Sequence, residues 1–357
     1  MRTTLRLAIA CVLAAGVGST VTAADRLIRL DIPGRTGFEG TPLAWSSQQV
    51  FFLARDGQLV ECDPRQATNF SEVPGGFKSC SQGELRGLLM AEFSGYEVSG
   101  VGHYLVVHPA GRRDEWAPRF EELYRSFVVY FSARGWRLEE PQFPLVAVVF
   151  PRQIDFARHA AREGLVASSG VLGYYSTDTN RILMYDSGAS GNDWTATADT
   201  IIHEAAHQTA FNTGVHSRFG TAPRWVVEGL GTMFEARGVW NSRNFPHVGD
   251  RINRGRLQAW RQYSRSRRRA DAIAQLVASD RPFQADADGA YSEAWALSFY
   301  LSETQPQKYS AYLARTAATR PFSTYRSQER MKDFTDIFGS DLAMLDAQLQ
   351  RYLAGLK

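Results

Sequence analysis

The sequence predicts an α+β protein, because strand patterns dominate its first half and helical patterns dominate its second half. Short apolar runs punctuated by glycine and proline extend to about residue 185, and from Trp194 onward the apolar period is helical. Such segregation is typical of the α+β class rather than of a doubly wound parallel sheet. The 357 residues are enough for one large domain or two ordinary ones.

Composition excludes several classes of protein. Apolar residues make up 44% of the chain and aromatic residues 12%, which is too much for a disordered protein. Basic residues number 40 and acidic residues 37, so the charge gives no reason to expect a nucleic-acid partner. Three cysteines are too few for a four-cysteine zinc site.

Residues 1–24 have the three-part pattern of a secretory signal peptide. Two arginines precede the apolar run 7–17, and small residues follow it. We expect cleavage after Ala23 or Ala24 and a secreted or periplasmic protein. An N-terminal membrane anchor is the alternative, but it needs roughly 20 apolar residues, and no later run suits stable membrane insertion. The oligomeric state is not indicated.

The cysteine positions predict a disulfide bond in the exported protein. Cys11 lies in the signal peptide, so cleavage leaves Cys62 and Cys80. Disulfides persist in oxidising compartments, and closing a loop of this length would stabilise the fold by roughly 3 kcal/mol. Two free thiols are the alternative.

Residues 25–110 are predicted to form a small β-rich region. The clearest apolar runs, 49–54, 84–90 and 102–108, are read as strands, and glycine- and proline-containing turns separate them. Nothing in this region indicates what it does.

Residues 111–357 are predicted to form a second domain that begins with a mixed sheet and ends in helices. An amphipathic helix over 114–134 precedes strands at 144–150, 171–175 and 181–185. Helical patterns cover 153–163, 195–211, 223–236, 250–265, 270–279, 289–303 and 341–353.

The first helix of the C-terminal half contains His203-Glu204-Ala205-Ala206-His207. With about 3.6 residues per turn, positions four apart share a helix face, so both imidazoles can bind one tetrahedral metal ion. Glu204 lies beside them, where it is suited to deprotonate a water molecule rather than to bind the metal. Two surface histidines that share a face by chance are the alternative.

A catalytic zinc ion needs a third protein ligand, and the helix predicted over 223–236 offers Glu228. Pro223 suits the first turn of this helix, whose apolar face is expected to pack on the motif helix. The longer motif with a third histidine does not apply, because Thr213 stands at that position. His216, in the loop between the helices, is another possible ligand or substrate contact, although a solvated loop residue is the plainer interpretation.

The two helices together resemble the gluzincin zinc metallopeptidases. The fuller pattern, over about Val98 to Leu301, is similar to the bacterial family known as domain of unknown function 1570. It includes Ala290–Leu297, which resembles a helix of peptidase-MA-like proteins. The resemblance implies a zincin-like fold with Glu204 as the general base. It also implies three Zn²⁺ ligands, which are His203, His207 and Glu228.

The resemblance also implies residues that support the metal site. Gluzincins often stabilise the oxyanion with a tyrosine from a later helix, and Tyr291 is the candidate here, with an ordinary core aromatic as the alternative. Some gluzincins carry an acid four residues after the glutamate ligand, whereas this chain has Thr232. Asp199 and Glu235 are the possible replacements.

Two further features have both a functional and a plain interpretation. The strand over 181–185 precedes the motif helix, as the edge strand of zincins does, and is expected to pair with a peptide substrate or merely to close the sheet. The segment 251–269 contains eight arginines and no acid, which indicates a solvated helix face or a site for anionic polymers or acidic peptides.

The sequence therefore predicts a secreted zinc-dependent metallopeptidase with peptide or protein substrates. The alternative is a non-catalytic envelope binding protein that keeps a peptidase-like fold and a structural zinc ion. Glu204 favours the enzyme, because a structural zinc site does not need it.

Overall fold

The computed structural model describes residues 26–111, 116–165, 171–186 and 194–356. The chain divides into two compact units, one of them comprising the described residues up to 87 together with 178–180, the other 88–177 and 181 onward. The predicted signal peptide lies outside the described residues. In those ranges, no helix has the length and apolar character that crossing a membrane requires.

An antiparallel sheet of five strands forms most of the first unit. Its order is β4-β3-β2-β1-β5, and one side buries a small core in which Phe38 and Phe52 meet edge to face at 5.9 Å. The β-rich N-terminal part is therefore confirmed. The strands are β1 (Leu27–Ile32), β2 (Arg35–Trp45), β3 (Val50–Ala54), β4 (Leu59–Cys62) and β5 (Thr68–Val73).

Helix α1 (Gln82–Glu92) stands where a strand was predicted over 84–90, so that prediction is wrong. The Ser81 N–H donates to the Glu84 carboxylate at 2.8 Å, and the Glu84 N–H donates to Ser81 Oγ at 3.3 Å. These reciprocal bonds form a capping box that starts a helix. Two leucines four residues apart are fully buried, as a helix face requires. The strand was predicted from the apolar residues of this segment, and the helix-start pattern S-x-x-E at Ser81 and Glu84 was not considered.

Cys62 and Cys80 are buried free thiols, so the predicted disulfide does not form. Cys62 packs in the core of the first sheet, whereas Cys80 precedes α1 and its N–H donates to the Arg55 carbonyl at 2.7 Å. Burial raises the pKa of both thiols. The prediction rested on the compartment alone, but a disulfide also needs the two Cβ atoms about 3.5–4.5 Å apart.

A mixed sheet of five strands opens the second unit, as predicted. Its order is β6-β7-β8-β10-β9, and β8 runs parallel to both of its neighbours. Two of its strands come from the range assigned above to the N-terminal region, and the domain boundary near residue 110 stays a prediction. The strands are β6 (Tyr96–Val101), β7 (Tyr104–Pro109), β8 (Leu145–Phe150), β9 (Gly173–Ser176) and β10 (Arg181–Tyr185).

The edge strand beside β10 is β9, which corrects the prediction that 181–185 forms the edge. β10 lies between β8 and β9, and Ile182, Leu183 and Met184 are fully buried on both of its faces. β9 pairs antiparallel with β10 and so takes the outer position. Chain order alone did not give the order of strands in the sheet.

Helices make up the rest of the described chain, which confirms the predicted mostly helical C-terminal half and the α+β class. Four of them were not predicted, namely the short helices α6 and α9 and the longer helices α11 and α12, although Pro306 at the start of α11 is a common start signal. The helices are α2 (Ala117–Ser132), α3 (Gln153–Arg162), α4 (Trp194–Asn212), α5 (Arg224–Phe234), α6 (Arg237–Trp240), α7 (Arg254–Ser266), α8 (Ala272–Ala278), α9 (Pro282–Ala285), α10 (Ala287–Thr304), α11 (Pro306–Ala317), α12 (Ser327–Phe338) and α13 (Leu342–Ala354).

The arginine-rich segment is not one solvated face. Arg251 pairs with Glu303, and Arg261 donates to a backbone carbonyl near the C-terminus at 2.6 Å. The Arg268 side chain is 4% exposed and pairs at 2.7 Å with the Glu293 side chain, which is 2% exposed. These arginines tie α7 and its flanks to neighbouring helices, and removing one partner would leave a buried charge without compensation.

Helix α10 is the central helix of the second unit, and α5 packs closely against it. The contact passes through Gly229, where an added Cβ would lie 2.1 Å from Ser298 Oγ and 2.7 Å from the Ala294 carbonyl oxygen. A backbone oxygen cannot move aside as a flexible side chain can. Glycine at this position therefore sets how closely α5 approaches α10.

We expect Gly229→Ala to destabilise the protein by about 1–3 kcal/mol, because the added methyl group overpacks a helix contact. The midpoint of thermal unfolding measures this. Gly87→Ala is the control, since Gly87 is also helical but has open space around it, and it should stabilise by about 0.5–1 kcal/mol. An unchanged midpoint for Gly229→Ala would contradict the close approach of α5 and α10.

Candidate metal centre

Helix α4 presents the two histidines of the H-E-x-x-H motif to one point. The His203 and His207 rings are perpendicular, and their Nε2 atoms lie 2.9 Å apart. His207 is buried, and the His203 side chain is 15% exposed. The expected sharing of one helix face is therefore present, and both imidazoles lie mostly out of solvent.

Helix α5 brings Glu228 to the same point. Its Oε2 atom lies 3.5 Å from His203 Nε2 and 3.6 Å from His207 Nε2. Burial would raise the pKa of Glu228, but its hydrogen bonds to the two imidazoles hold that pKa well below the ordinary value. The carboxylate is thus kept charged, as a metal ligand must be.

The three residues fit a transition-metal ion. Donor atoms about 2 Å from one tetrahedral ion lie roughly 3.3 Å from one another. The separations among His203, His207 and Glu228 run from 2.9 to 3.6 Å. Two imidazole nitrogens and one carboxylate oxygen are the donor types that suit zinc.

Gly231 leaves room for the histidines. A Cβ at this position would lie 2.8 Å from His207 Cε1 and 2.9 Å from His203 Cε1. The glycines that flank Leu230 therefore serve different contacts, since Gly229 faces α10 and Gly231 faces α4. The sequence identified this segment as a motif but did not distinguish the two glycines.

Glu235 orients His203. Its Oε1 atom lies 2.8 Å from His203 Nδ1, and its Oε2 atom accepts from Asn253 Nδ2 at 2.6 Å. Burial lowers the pKa of His203, but hydrogen bonds to Glu228 and Glu235 outweigh it and raise that pKa to about 10. Of the two acids considered from the sequence, Glu235 makes this contact, while Asp199 is exposed.

The position of Glu235 has a signal in the sequence. Glu235 is the residue that directly follows α5, and it comes seven residues, or two helical turns, after Glu228. Both carboxylates therefore project from the same side of the helix. Thr232, at the position where some gluzincins carry the acid, instead donates from Oγ1 to the Glu228 carbonyl at 2.7 Å. Asn253, which the sequence gave no reason to select, also donates to the Thr232 carbonyl at 3.0 Å.

Glu204 lies beside the histidines and contacts the edge strand. Its Oε2 atom accepts from the Tyr175 backbone N–H at 2.7 Å. Burial raises the pKa of Glu204, although the two neighbouring histidines oppose that shift. The carboxylate is therefore held between α4 and β9, next to the three candidate ligands but not among them.

Tyr291 of α10 reaches the same cluster through an arginine that the sequence did not single out. Arg224 donates from Nη2 to Tyr291 OH at 3.3 Å, and its Nε lies 3.4 Å from Glu228 Oε1. Burial and the nearby Glu228 charge raise the pKa of Tyr291. Arg224 precedes Glu228 by four residues, and this spacing on a helix is a signal that could have found it.

His216 is buried, which corrects the expectation of a solvated loop residue. It packs against Phe211, with the ring centroids 5.2 Å apart. Burial lowers the pKa of His216 to about 3, so this imidazole is neutral at ordinary pH. It is not part of the three-residue ligand group.

Residues 197–323 match a family described as Protein of unknown function (DUF1570). This range contains α5 and the H-E-x-x-H motif of α4, and the match confirms the resemblance predicted from those motifs. No curated protein sequence matches the chain.

Several solved structures are similar to this chain. A single-substitution variant of an M1 zinc metallopeptidase from Deinococcus radiodurans has 15% identity and a TM-score of 0.40, over 71% of this chain and 49% of that chain. The same variant with a Tyr-Ser-Ala substrate has 15% identity and a TM-score of 0.38, over 71% and 48%. A functionally unknown conserved protein from Bacillus anthracis str. Ames has 11% identity and a TM-score of 0.35, over 92% and 71%. This chain spans about half the length of the two metallopeptidase structures.

We expect Glu235→Gln to weaken zinc binding roughly 10- to 100-fold, because the His203 ring loses its charged partner. Competition with a chromophoric chelator at neutral pH measures the affinity. Glu122→Gln, an exposed change on α2, is the matched control and should leave the affinity unchanged. Equal zinc affinity in Glu235→Gln and wild type would remove Glu235 from the support of the site.

Proposed function

We propose that this protein is a secreted zinc-dependent peptidase that hydrolyses peptide bonds. The observation that carries the proposal is the position of Glu204, a partly buried carboxylate beside a cluster of two histidines and a glutamate. In this proposal His203, His207 and Glu228 hold the zinc ion. A site that only stabilised the fold would need a closed ligand set and no neighbouring base.

Zinc, when bound, acidifies a water molecule and polarises a substrate carbonyl. Glu204 then accepts a proton from the attacking water and delivers it to the amine as the carbon–nitrogen bond breaks. The Tyr175 N–H fixes one oxygen of the Glu204 carboxylate beside the edge strand. In this proposal Tyr291 and Arg224 stabilise the negative charge that develops on the carbonyl oxygen, and their contacts with each other and of Arg224 with Glu228 support that role.

Strand β9 supports a peptide as the substrate. It is the outer strand of its sheet, and its Tyr175 amide faces Glu204. An extended peptide aligned beside an edge strand uses main-chain hydrogen bonds, which do not depend on its side chains. Such a peptide would place a backbone carbonyl next to Glu204.

We expect Glu204→Gln to keep zinc but to lose hydrolysis, because the amide cannot accept the proton. The measurement is a digest of an unbiased peptide library by mass spectrometry, together with the zinc content of each protein. Glu228→Ala is the comparison variant and should lose both zinc and hydrolysis. Cleavage that survives in Glu204→Gln would contradict the assigned base.

The same digest decides between the two candidate functions. Wild-type protein that holds zinc and cleaves no peptide in the library would favour the non-catalytic envelope binding protein. Cleavage by wild type alone would favour the peptidase.

Export is the part of the proposal that depends on residues 1–24. We expect the protein recovered from the periplasm or medium to begin at Ala24 or Asp25, because cleavage follows the small residues after the apolar run. Mass spectrometry of the intact protein measures its N-terminus. A protein that keeps Met1 and stays inside the cell would contradict this part and leave the peptidase proposal standing.

A further inference from the structure

Two guanidinium groups contact the Tyr291 ring beside the metal centre. The guanidinium carbon of Arg256 lies 5.3 Å from the Tyr291 ring centroid, and that of Arg224 lies 5.9 Å from it. Arg224 also lies 4.8 Å from the centroid of the Phe283 ring. Cations over aromatic faces at these distances are attracted to the rings, so both guanidinium groups are held at Tyr291, and Arg224 is held at Phe283 as well.

The helices and hydrogen bonds that position the candidate metal ligands also position these two arginines. Arg224 is the first residue of α5, one turn before Glu228. Arg256 lies in the first turn of α7, where its backbone N–H donates to Asn253 Oδ1 at 3.0 Å. Asn253 Nδ2 in turn donates to Glu235, the partner of the candidate zinc ligand His203. Both arginines are thus fixed in position relative to the cluster, and both contact the Tyr291 ring.

Arg256 differs from its neighbours in the arginine-rich segment. Arg251 and Arg268 form ion pairs with carboxylates of the same chain, Glu303 and Glu293 respectively. Among the described residues, Arg256 has no carboxylate partner, and the contact of its side chain is with the Tyr291 ring. The Arg224 side chain donates to Tyr291 OH at 3.3 Å and has a long contact to the Glu228 carboxylate at 3.4 Å, and it is 45% exposed. Two positive groups beside the site are therefore open to an anion.

We propose that Arg224 and Arg256 bind a carboxylate of the substrate, so that this enzyme prefers peptides with an acidic group next to the bond it cleaves. A guanidinium has a planar fork of donors that matches the two oxygens of a carboxylate. The group is either an aspartate or glutamate side chain or the C-terminal carboxylate of a short peptide. This inference rests on the proposed peptidase function and names its substrate class.

The experiment measures binding separately from cleavage. The full chain carrying Glu204→Gln is titrated with three peptides of one otherwise identical sequence, taken from a product of the library digest. The first contains glutamate and an amidated C-terminus, the second contains glutamine and an amidated C-terminus, and the third contains glutamine and a free C-terminal carboxylate. If the digest yields no product, an alanine pentapeptide series with the same three changes serves as the probe.

We expect one of the two acidic peptides to bind at least about tenfold more tightly than the neutral one, since hydrogen bonds between charged groups are stronger than those between neutral groups. The acidic peptide that binds tightly identifies the source of the carboxylate. The preference should shrink as salt is raised. Arg256→Gln in the same background should bring the ratio close to one, and Arg256→Lys should leave it intermediate, because a lysine keeps the charge without the fork.

Arg265→Gln is the matched control, since Arg265 is an exposed arginine on the same helix, and it should leave the ratio unchanged. Equal binding of all three peptides, with cleavage by wild type intact, would overturn the acidic preference and leave the peptidase standing. An acidic preference that persists in both Arg256 variants would also overturn it. Absence of both binding and cleavage for every peptide would overturn the proposed function together with this inference.

Discussion

The rest of the second unit depends on the close packing of α5 between α4 and α10. Two glycines permit it, because a side chain at Gly229 would meet the α10 backbone and one at Gly231 would meet both imidazoles. This packing carries Glu228 to within 3.6 Å of the two histidine nitrogens. The candidate ligands therefore form one cluster because two helices approach each other more closely than ordinary side chains allow.

A continuous chain of polar contacts extends from this cluster in both directions. On one side Glu235 holds His203, and Asn253 holds Glu235 while it caps α7. On the other side Arg224 connects Glu228 with Tyr291. Most of these groups are partly or fully buried, where an unmatched charge is costly, so each group stabilises the charge state of the next. The contacts couple the metal centre to the first turn of α7.

Local patterns gave most of the helices and the ligand set, whereas pairings between distant segments were largely missed. Helical spacing placed the two histidines as neighbours, because one turn of a helix is a local property. Glu228 belongs to the next helix, and it was selected because the apolar face of that helix was expected to pack on the motif helix. The strand predicted at 84–90 failed because an apolar run fits either structure until its capping box is recognised. The disulfide and the edge strand failed for another reason, since both depend on which segments meet in space.

The sequence by itself determined the α+β class, the β-rich start, the helical C-terminal half and the identity of three side chains able to bind one metal ion. Only the tertiary structure decided that Glu235 rather than Asp199 supports His203, that Asn253 and Arg224 join the cluster, and that β9 is the strand beside Glu204. The physical reason is the separation along the chain of the residues in contact. Periodicity records what lies within a few turns of one element. These contacts instead join residues 18 to 67 positions apart through the packing of separate elements, with the i, i+4 neighbours Arg224 and Glu228 as the exception.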